Sequence, residues 1–254
     1  MLLLSILAPL IIGLLLGLLG GGGTVLAVPV LIYLFGIDTK LAIAMSLFIV
    51  GISSLIASTM HIFKKRINIP CTLVFGLFGM SSSFLSARYL APLLSESFQL
   101  ILFSILIITI AILMLQPYRE NIVIIKPKLD FKRCLLIVIS GSTVGLITGL
   151  IGVGGGFLIV PCLVHIMGLS MLEAIGSSLI IGTMQSLSAF VGYLDLVEIP
   201  WNFVFRFTTL VILGTAIGTF LTVKIDPKYL KKIFAILLLG IGAFILYNRL
   251  ILAN

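Results

Sequence analysis

Gly13-Leu-Leu-Leu-Gly17-Leu-Leu-Gly20-Gly21-Gly22-Gly23-Thr24 leads into Val28-Pro29, and the pattern returns as Gly145-Leu-Ile-Thr-Gly149-Leu-Ile-Gly152-Val153-Gly154-Gly155-Gly156 before Val160-Pro161. Apolar residues flank both copies. Runs of glycine do not sit inside a continuous helix, because glycine loses the most backbone entropy on ordering and turns freely. Each cluster therefore reads as a break in a helix that is otherwise surrounded by hydrocarbon.

The rest of the chain supports a membrane setting. Of its 254 residues, 61% are hydrophobic and 9% charged, and the mean hydropathy is +1.35. A soluble domain carries about 25% charged residues. The apolar runs are much longer than the alternating strands of about 10 residues that build an outer-membrane barrel, so helices must satisfy the backbone in lipid. The expected fold class is all-α integral membrane. The net charge of +8 is read as basic loops that set orientation, and nucleic acid is not an expected partner. Cys71, Cys134 and Cys162 are far apart and lack metal-ligand spacing. The start is apolar from Leu2 with no basic segment before it, so it is not expected to be a removable signal.

Breaking the chain at charges, prolines and glycine clusters gives ten apolar elements, five per half. They run over about 2–19, 24–35, 39–62, 69–90 and 97–116, then 134–151, 157–167, 170–194, 201–223 and 228–252. The halves form a repeat: one interval relates Gly13 to Gly145, Pro29 to Pro161, Gly36 to Gly168, Ser46 to Ser178 and Ser54 to Ser186. After a three-residue insertion the match resumes, pairing Gly79 with Gly214 and Pro92 with Pro227. The organisation is thus a first membrane repeat (1–116), a basic linker (117–133) and a second membrane repeat (134–254).

A span needs about 20 residues. Elements 24–35 and 157–167 are shorter, so each is expected to be one arm of a broken or re-entrant hairpin with the glycines at its tip. A short kinked span remains the alternative. Each repeat then holds a hairpin and three transmembrane helices, for about 8 to 10 membrane helical segments. Three crossings per repeat invert the second repeat. Inversion puts Lys64, Lys65, Arg66, the linker residues Arg119, Lys126, Lys128, Lys132 and Arg133, and Lys224, Lys228, Lys231 and Lys232 on one side. The loop with Asp195 and Glu198 falls on the other. By the positive-inside rule the basic side is cytoplasmic and both termini are outside.

Broken helices whose N-termini face an anion near mid-membrane are a common carrier design. The second arm of each hairpin starts at the glycines, so the amides of Gly22, Gly23, Thr24 and Val25, and of Gly155, Gly156, Phe157 and Leu158, are expected to line the tip, with Gly154 also part of the anion site. Gly13-xxx-Gly17 and Gly145-xxx-Gly149 read instead as helix packing. Ser46, Ser53 and Ser54, with their partners Ser178, Gln185 and Ser186, form a polar set at helical spacing, either a site wall or a small-residue interface. Gln185 is the strongest single candidate, because an amide is costly in lipid. Arg206, five residues into a span that begins at Trp201, either attracts anions or snorkels to the interface. There is no carboxylate pair, no His/Cys cluster and no phosphate-binding GxxxxGK[ST] motif, so neither an enzyme nor a cofactor is expected.

The doubled Gly-x-x-x-Gly-x-x-Gly-(Gly/Val)-Gly-Gly-(Thr/Gly) block with its Val-Pro, together with Ala44-Met-Ser46-Leu-Phe and Gly176-Ser-Ser178-Leu, resembles the TauE/SafE sulfite exporter family, also described as the toluenesulfonate uptake permeases. Val153 departs from the pattern where the first copy has Gly21. The resemblance implies a multi-pass permease of a bacterial-type inner membrane. It would be a secondary transporter of small sulfur-containing anions such as sulfite, sulfonates or sulfoacetate, with export the expected direction. A homodimer is left open. The alternatives are an anion channel with the same symmetric site, and a non-transporting membrane interaction subunit.

Overall fold

The computed structural model describes residues 2–19, 23–63, 67–115, 131–152, 154, 156–165, 167–221 and 227–251. Most of the linker, Lys64 to Arg66, Gly20 to Gly22, Val153, Gly155 and Lys224 lie outside the described residues.

Ten α-helices and no strand occupy the described residues. They are α1 (Leu2–Leu19), α2 (Thr24–Pro29), α3 (Thr39–Phe63), α4 (Ile69–Leu85), α5 (Glu96–Leu115), α6 (Phe131–Ile151), α7 (Gly156–His165), α8 (Met171–Tyr193), α9 (Trp201–Leu221) and α10 (Pro227–Ile251). Beyond Pro29, α2 widens into a π-helical turn, Val30–Leu34, and α4 runs on through π-helical Ser86–Leu90 and 3₁₀ Ala91–Leu93. Six of these helices are long and apolar enough to cross a membrane. Among them is Cys134–Ile151 of α6, the arm that precedes the short element of the second hairpin. The outward faces carry Leu73, Leu77, Ile105, Ile112, Leu213 and Phe220, all exposed, as hydrocarbon contact requires.

Local chemistry sets the ends. Asn68 caps α4, its Oδ1 accepting from Cys71 N at 3.2 Å, with Pro70 in the first turn. Ser170 and Glu173 form a capping box at the start of α8. Gly36 and Gly168, at φ +67° and +66°, close the second arms of the two hairpins. Both do so with the same pair of bonds: Gly36 N to Ile32 O and Ile37 N to Leu31 O, then Gly168 N to Val164 O and Leu169 N to Leu163 O. Only a left-handed residue makes this cap cheaply, so the repeat seen in sequence extends to the hydrogen bonds.

The two halves interlock. The first helix of each half packs on the fourth helix of the other, α1 on α9 and α6 on α4. Glycines make the approach possible. A Cβ on Gly13 would lie 2.0 Å from Val211 O, and one on Gly145 would lie 2.2 Å from Gly79 O. Along the second seam Gly141 faces Phe75, Gly145 faces Gly79 and Gly149 faces Ser83, so α6 and α4 run in the same direction. Gly13 with Val211 and Gly17 with Thr215 show the same for α1 and α9. The packing reading of these glycines holds.

Helix α8 also runs with α4, from Asn68 N on Ser177 Oγ to Gly192 against Ala87. Since α6 and α8 point the same way, α7 between them must run back, and the chain doubles over at Gly152–Gly156. Ten residues of α7 reach about 15 Å at 1.5 Å per residue, roughly half a hydrocarbon core. In contrast, α3 and α8, which are equivalent in the two repeats, cross antiparallel: Phe48 meets Phe190 and Gly51 meets Leu187. At the end of α4, Arg88 Nη1 donates to Asp195 Oδ2 of the α8–α9 loop.

The seams give a stability contrast. Gly145→Val has no room against the Gly79 backbone and is expected to cost about 3 kcal/mol, lowering the thermal midpoint in detergent by roughly 6–12 °C. Gly240→Ala on α10, where nothing lies within 4 Å of the added carbon, should leave the midpoint unchanged or raise it. Similar midpoints for the two variants would refute the close-packed seam.

Candidate functional site

Helix α6 ends at Gly152, whose φ of +75° turns the chain out of the helix. Its amide still donates to Thr148 O at 2.9 Å. A Cβ here would lie 2.5 Å from Ile43 Cγ2, so both the left-handed turn and the contact with α3 require glycine. The next carbonyls are taken by hydroxyls from the first repeat. Ser46 Oγ reaches Gly152 O at 2.7 Å and its own-turn Ile43 O at 2.8 Å, and Thr24 Oγ1 donates to Gly154 O at 2.8 Å. Gly156 N turns back on Gly154 O at 2.7 Å. The carbonyls of Gly152 and Gly154 are thus held from the first repeat, and α7 then starts with first-turn amides that have no acceptor four residues back within the helix.

Gly154 is buried between α3 and α8. A Cβ on it would stand 2.1 Å from Val50 Cγ1 and 3.0 Å from Ser186 Oγ. Val50 and Gly182 lie at the middles of their helices, α3 and α8, so the break sits level with the centre of the bundle. Gly23 plays another part: a Cβ there would lie 2.3 Å from Leu16 N. The first hairpin therefore needs this glycine to let its two arms meet.

The remaining candidates separate clearly. Ser53, Gln185 and Ser186 are fully buried, and Ser53 Oγ, Gln185 Nε2 and Ser186 Oγ have no hydrogen-bond partner among the described residues. Gln185 Oε1 accepts from Thr148 Oγ1 at 3.4 Å, one turn before the break, while its backbone oxygen accepts from Ser83 Oγ at 2.9 Å. Ser178 is buried and donates to Ile175 O within its own helix. Arg206 is exposed on α9 and is not brought to the buried break. Nearby Trp201 stacks on Phe205 and meets Phe48 edge-on, an aromatic group at the start of the span. Gly22 and Gly155 lie outside the described residues.

Two contributors were not singled out from sequence. Gln99 of α5 is buried and its Nε2 donates to Leu150 O at 3.3 Å and Ala91 O at 3.5 Å, with Tyr193 OH also 3.5 Å from Leu150 O. Together they hold the carbonyl end of α6, where the helix dipole is negative. The available signal was a lone amide in an apolar helix. The second is Thr148, the one hydroxyl within the Gly145–Gly149 spacing.

Comparison with known proteins gives one consistent result. The family model described as "Sulfite exporter TauE/SafE" matches residues 5–245. A "Probable membrane transporter protein" of Xylella fastidiosa (strain 9a5c) is 28% identical over 247 residues, 94% of this chain and 92% of that one. Its counterpart in strain Temecula1 is 26% identical over 246 residues, with the same coverage. A "Probable membrane transporter protein" of Methanocaldococcus jannaschii is 30% identical over 122 residues, 44% of this chain. No solved structure matches the chain.

Thr24→Val keeps the shape of the side chain and removes the bond to Gly154 O. The expected cost is about 1 kcal/mol, a fall of roughly 2–4 °C in the thermal midpoint. A variant as stable as the parent would show that this hydroxyl does not hold the break.

Proposed function

The chain belongs to the sulfite exporter TauE/SafE family of multi-pass membrane transporters, and we propose that it is a secondary carrier, working as an exporter, of small sulfur-containing anions such as sulfite, sulfonates or sulfoacetate. The anion binds where α7 starts, beside the break at mid-bundle, and the tip at Gly22 and Gly23 contributes from the first repeat. One observation carries this reading. Three buried side-chain donors, Ser53 Oγ, Gln185 Nε2 and Ser186 Oγ, lack partners among the described residues, and Ser186 Oγ lies beside Gly154 of the break, whose carbonyl, like that of Gly152, is already occupied. An unpartnered buried donor costs about 1–3 kcal/mol, and an oxyanion supplies acceptors that would remove that cost.

The electrostatics agree. First-turn amides and a positive helix end favour negative charge, and no full positive charge is needed to hold a small anion that must also leave. Transport, not catalysis, is the chemistry such a site supports. The proposed architecture is two inverted repeats, 1–116 and 134–254, joined by the basic linker 117–133. Support comes from the equivalent helices α3 and α8 crossing antiparallel, and from the doubling back at the α6–α7 break. With the basic loops cytoplasmic, both termini lie outside, and the membrane is a bacterial-type inner membrane.

Thermal stability of the purified protein with sulfite, sulfate, methanesulfonate and chloride tests the site. A true ligand raises the midpoint with concentration. Ser53→Ala and Gln185→Met delete unpartnered donors, so they should leave the ligand-free midpoint within a few degrees and weaken the sulfite or methanesulfonate shift at least tenfold in concentration. Full response in both variants would sink the site. For topology, a cysteine replacing Glu198 should react with an impermeant maleimide in whole cells, while one replacing Lys128 reacts only after permeabilisation. The reverse pattern would overturn the orientation.

A further inference from the structure

Almost every buried glycine whose surroundings are described is there to let something touch it. An added Cβ would fall within 3.0 Å of a neighbouring atom at Gly13 on α1, Gly79 on α4, Gly145 on α6, Gly192 on α8 and Gly214 on α9, and at Gly23 and Gly154 outside the helices. Gly182 is different. It is buried at the middle of α8, yet among the described residues a Cβ there would meet one atom within 4 Å, the amide nitrogen of Gly156 at 3.9 Å. Its equivalent in the first repeat is Val50, whose Cγ1 fills the corresponding position on α3 and presses on Gly154. The duplicated helices therefore differ at one central residue. Valine closes one side of the break, whereas on the other side Gly182 carries no side chain and the nearest described atom is the amide nitrogen at the start of α7.

A second observation bears on the same place. Ser186 stands one turn along α8 from Gly182, on the same face, fully buried and with its Oγ unpartnered among the described residues. The Cβ position of Gly154 lies 3.0 Å from that oxygen, so the hydroxyl reaches the loop that feeds α7. Gly156 N is turned back on Gly154 O. The donors left for a ligand are therefore the next amides, Phe157 and Leu158, together with Ser186 Oγ beside Gly154.

We propose that Gly182 makes the anion site one-sided: the oxyanion group sits over Gly182 against the first turn of α7, with Ser186 Oγ donating to it, and Val50 excludes the equivalent pose on α3. This rests on the anion-carrier reading above and adds to it a residue that sets occupancy. The ligand chemistry is a compact group with three or four oxygens around one central atom. An atom on α8 at position 182 would take the place of one of those oxygens, whereas trimming Val50 would not.

The test measures the affinity of the full-length protein in detergent for sulfite and for methanesulfonate, from midpoint shifts over a concentration series, with chloride as the salt control. Gly182→Ala adds one carbon that meets no described atom closer than 3.9 Å, so its ligand-free midpoint should stay near that of the parent. Both anions should bind at least tenfold more weakly, and Gly182→Val should bind neither. Val50→Ala should change affinity by less than about threefold. Ser186→Ala, which alters no backbone contact, should weaken both anions about tenfold, and this variant decides the matter if Gly182→Ala cannot be purified. Unchanged affinity in Gly182→Ala or in Ser186→Ala, or equal losses in Gly182→Ala and Val50→Ala, overturns the one-sided site. No response of the parent to either anion overturns the carrier reading itself, a result distinguishable from those outcomes.

Discussion

A helix that stops inside a bilayer leaves carbonyls at one end and amides at the other, with no water to meet them. Each unsatisfied group costs several kcal/mol in hydrocarbon, so a break survives only where neighbours supply partners. Here the supply is uneven. Gly152 O and Gly154 O receive hydroxyls from Ser46 and Thr24, and Leu150 O receives Gln99 and Tyr193. No comparable set of side-chain acceptors meets the amides at the start of α7 among the described residues. The protein itself meets the described carbonyls of the break, and the amide half is where the proposed anion would bind.

Bringing those hydroxyls to the break requires that the two halves interlock. Ser46 and Thr24 belong to the first repeat, and the carbonyls they hold belong to the second. The approach is set by glycine seams, where backbone meets backbone at α1–α9 and α4–α6. Without a hydrophobic force between helices in lipid, such close packing and the bonds across it are what hold the bundle. The seam and the break are therefore coupled: a shift of α6 along α4 moves Gly152 away from Ser46.

Much of this was legible in the chain. Ten apolar elements were readable because charges, prolines and glycine clusters bound them, and the helices fall within a few residues of those limits. The duplication was readable because glycine and proline recur at a fixed interval, and Gly36 and Gly168 carry the same left-handed cap. Assigning roles within the polar set was harder. Ser46 and Ser53 share a helix face, yet one holds a carbonyl and the other has no partner among the described residues, a difference created by where α6 stops. Gln99 was passed over because its partners are backbone atoms of α6, distant in sequence. For Arg206 the chain left two readings, attracting anions or snorkelling to the interface, because depth along a helix says nothing about which face a residue occupies; α9 turns it outward, which fits the second.

Duplication supplies two hairpins, and a strict two-fold pair would offer an anion two equal poses. Four of the departures from the repeat bear on this: Val153 for Gly21, Gly182 for Val50, Gln185 for Ser53, Thr148 for Leu16. Three of these four place the smaller or more polar residue on the second repeat. A carrier needs its ligand bound tightly enough to enter and weakly enough to leave, and a site built from dipoles and hydroxyls, with no lysine or arginine among them, meets that demand. On the reading proposed above, two of the three unpartnered donors, Gln185 and Ser186, belong to the second repeat, while Ser46 and Thr24 of the first repeat tie down Gly152 O and Gly154 O, so the two halves take different tasks.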